Sequence, residues 1–523
     1  MKIMKNNAYN MMQGAVVLSV AALVAKILSA TYRIPLENLV GNEGFYVYQQ
    51  IYPLYGIGMT FALSGFPIFI SKIIAEQESK EQKLAISKQL FLILAFFSVL
   101  IFGGLQLSAS FLATLMGDKQ LDALIKSVAW MFLLMPFLSV SRGYYQGNLQ
   151  MVPTAISQVL EQIVRVFVII MVAIMAVTYH WSVYKMGTLA MTSSFLGGLA
   201  AVIYLGKFFM QLNKPKIKSV VKYRILIQRL LTEGMMLCFF VSLMILMQLI
   251  DSFTIKNGLQ SYGLSETVAK NLKGTYDRAQ PLVQLGLVIG VSFASSLLPS
   301  LTQALEQNKQ HDFKQKAKMV MKVSLGIGSA ATIGMVALMP QINHLLFGSR
   351  ALSEVIAIYV LSVIFMTIIN TYSSMLQSLK EFKVLLWALF IGLVSKYCLN
   401  VIGLHFLGII AASEATVLSL FFAVIYLMKA SSIAVKDLIG EERFLSKLII
   451  SCGLMFVVTK MMANIIEMVI NPGRLQSGVV LLLAIPIGAG VFVYMALKLK
   501  IFTPLEISNM PGGKKILKIV NNL

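Results

Sequence analysis

Seven basic side chains fall inside or at the ends of long apolar stretches: Lys26, Arg33, Lys126, Arg165, Arg278, Lys396 and Lys460. A charge at bilayer depth costs roughly 2.5 to 3.5 kcal/mol on insertion scales and is kept where it faces a cavity or a partner. Lys126 and Lys460 read as side chains that snorkel from a segment end to the interface. For Lys26, Arg33 and Arg278 a functional reading is preferred. Basic groups in an internal cavity replace the water around an anionic group through charge-assisted hydrogen bonds, and the two arginines suit bidentate contact with phosphate. Arg165 follows Glu161 by one turn, so an i,i+4 ion pair is expected to neutralise it. Asp277 precedes Arg278 and is expected to be neutralised in the same way.

Those charges need elements that hold them at depth, and the composition supplies little else. Of 523 residues 58% are hydrophobic and 13% charged, with mean hydropathy +0.79, which marks a membrane protein. Fourteen stretches of spanning length are predicted, at about 14–34, 45–72, 90–115, 123–144, 154–178, 187–206, 230–253, 278–301, 323–345, 355–377, 384–404, 407–428, 448–468 and 477–497. No connection is long enough to bury a core of its own. Cys238, Cys398 and Cys452 share no metal-ligand or redox spacing, and the four histidines are scattered, so neither a zinc site nor a disulfide framework is expected. G-x-S-x-G, Walker A and H-E-x-x-H patterns are absent. Lys2 and Lys5 before an apolar run mimic a signal peptide, but Lys26 interrupts that run, and a retained first helix is expected.

With the N-terminus in the cytoplasm, the inside segments carry 30 of the 44 Lys and Arg, and the outside loops carry 7: Lys119, Lys185, Lys256, Lys270, Lys273, Arg350 and Arg474. That bias predicts both termini in the cytoplasm. The net charge of +22 then lies against anionic headgroups and implies no nucleic-acid partner.

The chain also carries an internal duplication. Gly58-x-x-Phe61-Ala62-x-Ser64-x-x-Pro67 recurs as Gly290-x-x-Phe293-Ala294-x-Ser296-x-x-Pro299, and Gln146 with Arg165 recurs as Gln377 with Lys396 at nearly the same offset. The offset moves six spans forward, an even number, so the repeats are parallel and a cavity is expected between two six-helix lobes. Gly58, Pro67, Gly290 and Pro299 would let their helices bend, an irregularity tolerated at depth where it lines a cavity or packs against protein. The expected organisation is a lobe over 1–212, a second over 213–440, and two extra helices with a tail over 441–523.

Two repeated lobes plus two helices, with Tyr276-Asp277-Arg278 and Leu297-Leu298-Pro299-Ser300 bounding the eighth span, resemble the MurJ-type lipid II flippases. These belong to the multidrug/oligosaccharidyl-lipid/polysaccharide (MOP) exporter superfamily, with a MATE-like fold. Leu39-Val40-Gly41-Asn42-Glu43-Gly44-Phe45-Tyr46 and Tyr145-Gln146-Gly147 are similar to the Firmicute YtgP/SpoVB-like polysaccharide biosynthesis branch. The resemblance implies an all-α polytopic transporter of the bacterial cell membrane, not an enzyme. It implies that lipid II or another undecaprenyl-pyrophosphate-linked saccharide is moved to the outer leaflet by alternating access. The essential first-helix arginines of the family fall near Lys26 and Arg33, its eighth-helix arginine falls on Arg278, and its acid after the first helix appears as Glu43. The second-helix arginine of Gram-negative members has no counterpart, which leaves Lys396, the repeat partner of Arg165, to supply charge. Expected partners are the lipid-linked substrate, membrane lipids and the cell-wall synthesis machinery. No cofactor is expected, and with no nucleotide motif an ion gradient or the membrane potential would supply the energy. Two rivals share the fold: an exporter of a teichoic-acid, capsule or spore-cortex precursor, and a multidrug/cation antiporter using acids such as Asp251 and Glu414.

Overall fold

The computed structural model describes residues 2–212, 221–288, 310–379, 381–431 and 443–508, which are almost entirely helical. The chain divides into two compact units, Met1–Asp277 and Arg278–Leu523. The repeat would place a lobe boundary at 212, whereas compactness groups the described residues 221–277 with the first unit.

The first unit contains α1 (Lys2–Thr31), α2 (Arg33–Thr60), α3 (Phe66–Ala75), α4 (Lys80–Leu115), α5 (Asp122–Ala129), α6 (Met135–Gly147), α7 (Met151–Thr178), α8 (Val183–Tyr204), α9 (Gly206–Leu212), α10 (Tyr223–Arg229), α11 (Met235–Val241), α12 (Leu243–Ser261) and α13 (Glu266–Tyr276). The second holds α14, described over 279–288, then α15 (Gln310–Ala337), α16 (Met339–Phe347), α17 (Ser353–Val360), α18 (Ser362–Ser378), α19 (Phe382–Leu407), α20 (Ile409–Ala430), α21 (Phe444–Val469), α22 (Arg474–Lys498) and α23 (Pro504–Ser508).

Eleven helical segments among the described residues are long and apolar enough to cross a membrane, and α10–α11 with α12, bent by 68°, makes a twelfth. One of the eleven runs for 59 residues from Val17 to Ala75, far beyond a hydrocarbon core of roughly 30 Å. Gly41 breaks it with φ +71° and ψ −179°, a left-handed φ that glycine adopts without the cost a Cβ would bring, so the motif around Gly41 ends one span and begins the next. The predicted eighth span lies mostly outside the described residues, as do Gly290 and Pro299. Fourteen spans are compatible with this inventory.

Helix starts follow local chemistry. Ser79 accepts from the Gln82 amide while Gln82 accepts from the Ser79 amide, a reciprocal cap that starts α4. The second span is irregular where predicted, although not through Gly58. A π-helical turn, Phe61–Gly65, precedes Pro67, while Gly58 gives room to Met131, whose Cε would lie 2.9 Å from a Cβ there. At Gly65 a Cβ would sit 2.9 Å from the Cα of Cys238, so only glycine allows α11 this close.

In the first unit, two groups of ion pairs tie helix ends together. In one, the side chain of Tyr184 donates to Asp118 at 2.7 Å and accepts from Lys270 at 2.8 Å, and Lys270 pairs with Asp118 and Glu266 at 3.3 and 2.9 Å. Burial disfavours the Lys270 charge, but its bonds to Tyr184 and Glu266 and the Asp118 charge outweigh it and raise its pKa. Lys256, Lys270 and Lys273, read from sequence as loop residues, are thus buried in this unit. In the other, Arg229 grips Glu76 bidentately at 2.7 and 2.8 Å, and Lys72 meets Glu233 at 2.5 Å. The Arg229 hydrogen bonds hold the Glu76 carboxyl below its usual range, so the clasp stabilises above ordinary carboxylate pKa values and is lost as pH falls through the lowered one. Arg229→Ala is expected to lower the melting point modestly at neutral pH, by less than about 1 kcal/mol for so exposed a pair. The deficit should vanish in acid, where Glu76 is already protonated; a deficit independent of pH would refute the clasp.

We expect the Glu76 end to face the cytoplasm, on the charge bias. A cysteine at exposed Lys80 should then resist an impermeant thiol reagent in intact cells, and one at exposed Thr267 should label. The reverse pattern would overturn this orientation.

Candidate functional site

In the first unit the predicted basic residues separate. Lys26 is exposed on α1, whereas Arg33, which opens α2, is fully buried. Among the described residues the Nε, Nη1 and Nη2 of Arg33 have no hydrogen-bond partner, and its guanidinium lies 4.0 Å over the Tyr52 ring and 6.0 Å from that of Tyr32. Arg165, on α7, is 1% exposed. Its Nη2 donates to the hydroxyls of Tyr32 and Tyr48 at 2.8 and 3.0 Å, its Nη1 donates to Gln162 Oε1 at 3.2 Å, and its guanidinium lies 3.8 Å over Tyr55. Tyr32 and Tyr48 are joined hydroxyl to hydroxyl at 2.9 Å. Both arginines therefore sit in one cluster of tyrosines.

The expected Glu161–Arg165 pair does not form. Glu161 instead binds Arg142 at 2.7 Å, with side-chain exposures of 0% for Arg142 and 3% for Glu161. Arg142 also donates to Ser157 Oγ at 3.0 Å and to the Ala62 carbonyl at 3.3 Å. That carbonyl belongs to the π turn, where the shifted backbone register favours acceptance from outside the helix. Arg142 is not among the seven basic residues that the sequence singles out, yet it lies inside α6, which runs on to Gly147, and is buried. Asp277 likewise takes the ammonium of Lys273 at 2.5 Å, the residue one turn earlier, rather than waiting for the arginine that follows it. Tyr276 donates to Asp251 at 3.3 Å. Glu43 is half-buried just past the Gly41 break.

In the second unit Arg278 is buried, its Nη1 donating to Asn343 Oδ1 at 3.3 Å and its guanidinium 5.2 Å from the Phe347 ring. The Asn343 amide donates to the Ala351 carbonyl and to Ser353 Oγ at 2.8 and 3.0 Å, which fixes its oxygen toward Arg278. Lys396, fully buried on α19, donates to the Ala412 carbonyl and to Thr416 Oγ1 on α20 at 2.9 and 2.7 Å. The repeat partners Arg165 and Lys396 thus occupy corresponding helices, α7 packed along α8 and α19 along α20. Elsewhere in the second unit, α15, α16, α21, α22 and α23 line a cavity of about 600 Å³, with groups such as Met335, Leu338, Met455, Phe492 and Phe502 facing it and Thr459 its one polar side chain among the described residues. Arg474 ties α22 to the end of α16, donating to the carbonyls of Leu345 and Leu346 at 2.9 and 2.8 Å.

The tyrosine cluster had a readable signal: Tyr48, Tyr52 and Tyr55 recur at i, i+4 and i+7, one helical face. Asn343 had none.

Residues 11–305 match the model of the polysaccharide biosynthesis protein family, and residues 274–402 match that of the MatE family. An uncharacterized membrane protein, YabM, of Bacillus subtilis is 33% identical over 515 residues, covering 97% of this chain and 96% of that one. The lipid II flippase MurJ of Bacillus subtilis is 24% identical over 535 residues, covering 96% and 98%. In three dimensions, a lipid II flippase MurJ in an inward closed conformation superposes with a TM-score of 0.68 at 16% identity, over 92% of this chain and 98% of that one. The helical architecture is that of the MurJ fold, and the chain belongs to the polysaccharide biosynthesis protein family.

Proposed function

We propose that this protein moves a lipid-linked saccharide across the bacterial plasma membrane, and that its substrate is lipid II, the undecaprenyl-pyrophosphate-linked peptidoglycan precursor. The observation that carries the reading is the coexistence of two chemistries in one chain. Buried cations, Arg33 in one unit and Arg278 in the other, suit a pyrophosphate, and the cavity of about 600 Å³ with a hydrocarbon lining suits part of a prenyl tail. Kinship with a lipid II flippase over nearly the whole chain supports it. Lys26, Arg33, Arg278 and Lys396 are assigned to the headgroup, and transport proceeds by alternating access driven by an ion gradient or the membrane potential.

Depleting the protein in a strain without a second flippase is expected to remove lipid II from the outer leaflet, read by a surface-restricted probe. Unchanged surface lipid II with accumulation of another lipid-linked saccharide inside would keep the transport class and replace the substrate. The antiporter reading has one observation in its favour, the MatE match over residues 274–402.

A further inference from the structure

Glu161 is committed to Arg142, so among the described residues of the first unit two buried guanidiniums, Arg33 and Arg165, have no carboxylate hydrogen-bonded to them, Asp277 acting on Arg33 only through its field while it is bonded to Lys273. Phenol oxygens and ring faces ease the loss of water but carry no full negative charge. Tyr32 and Tyr52 lie near both guanidiniums, Tyr32 at 6.0 and 5.0 Å and Tyr52 at 4.0 and 5.8 Å, so the two charges share one aromatic wall. Arg165 is fixed there by two tyrosine hydroxyls and Gln162, while all three nitrogens of Arg33 await an acceptor.

We infer that Arg33 and Arg165 form a single receptor for a phosphoanion, Arg33 supplying three buried donor nitrogens that lack an acceptor and Arg165 a second positive charge held in place by Tyr32 and Tyr48. This rests on the reading of Arg33 as a headgroup contact and adds the fifth-span arginine, for which a different fate, neutralisation by Glu161, is expected from sequence. A diphosphate, with more than one negative charge in a compact group, matches two adjacent guanidiniums better than a monoanion does.

The test uses the full chain in detergent micelles, titrated with inorganic pyrophosphate and, separately, with farnesyl diphosphate. Both should bind, Arg33→Gln should abolish binding, and Arg165→Gln should weaken it at least tenfold with recovery in Arg165→Lys. Tyr48→Phe keeps the ring and removes one acceptor from Arg165. It should weaken binding several-fold without lowering the melting point, which keeps the test decisive if Arg165→Gln does not fold. Binding of farnesyl diphosphate alone would identify the ligand as a lipid headgroup, and of pyrophosphate alone as a free anion, both within the receptor. Binding lost in Arg33→Gln but unchanged in Arg165→Gln and Tyr48→Phe would overturn the two-arginine receptor and leave the Arg33 contact standing. Binding indifferent to Arg33→Gln, or absent from the wild type, would overturn both.

Discussion

Glu161→Ala is expected to destabilise the folded protein by roughly 3 to 5 kcal/mol, because removing one partner of a buried ion pair strands the other charge. The stranded group is Arg142, which has no exposed surface and spends its other nitrogens on Ser157 and the Ala62 carbonyl. Those contacts join α6, α7 and the π turn ahead of α3, so the loss loosens three spans at once. Glu161→Gln keeps an acceptor oxygen and should cost less. Arg142→Met combined with Glu161→Leu, which removes both charges and keeps the volume, should recover most of the loss. Denaturation in mild detergent reads all three. A Glu161→Ala protein as stable as the wild type would mean that Arg142 draws its counter-charge from elsewhere.

The same pair marks where sequence reading reached its limit. The i,i+4 rule sees only one helix, and Glu161 with Arg165 satisfied it. The rule carries no information about a second arginine, nineteen residues earlier in the chain, that reaches Glu161 from α6. Ser141, Arg142 and Gly143 lower the local hydropathy at the end of the span predicted over 123–144, so nothing local marks Arg142 as a core residue. The burial of Lys270 was not legible either, since hydropathy cannot distinguish a solvated loop lysine from one folded against Asp118, 152 residues away in sequence. Apolar span content, the break at Gly41 and the irregular second span near Pro67 were legible because each is written in local residue types. Of the candidate site, Arg33 and Arg278 stand out in the sequence as charges in apolar surroundings, and both are buried. Their surroundings, the Tyr52 ring over one and Asn343 against the other, come from packing between residues well separated in sequence.

Arg278→Ala should abolish complementation in cells depleted of the wild-type protein while leaving the chain inserted in the membrane. Arg278 donates to Asn343, a neutral acceptor that helps orient the guanidinium, and Asn343 is itself anchored to Ala351 and Ser353. Losing a charge-assisted contact to a pyrophosphate costs about 1.5 to 3 kcal/mol, roughly ten- to a hundredfold in affinity, and more where water cannot take the place of the lost donor. Lysine at 278 keeps the charge but not the planar fork, so Arg278→Lys should rescue only in part. Asn343→Ala leaves the charge and frees its orientation; an intermediate defect is expected, felt more in substrate affinity than in maximal rate. Cation antiport would invert the pattern, because a cationic substrate needs the acids. Asp251, buried and bonded to Tyr276, or Glu414 would then be indispensable, and Arg278 would tolerate replacement. An active Arg278→Ala protein beside an inactive Glu414→Gln protein would sink the flippase mechanism, since no transporter that grips a pyrophosphate through Arg278 can lose that charge and keep its rate.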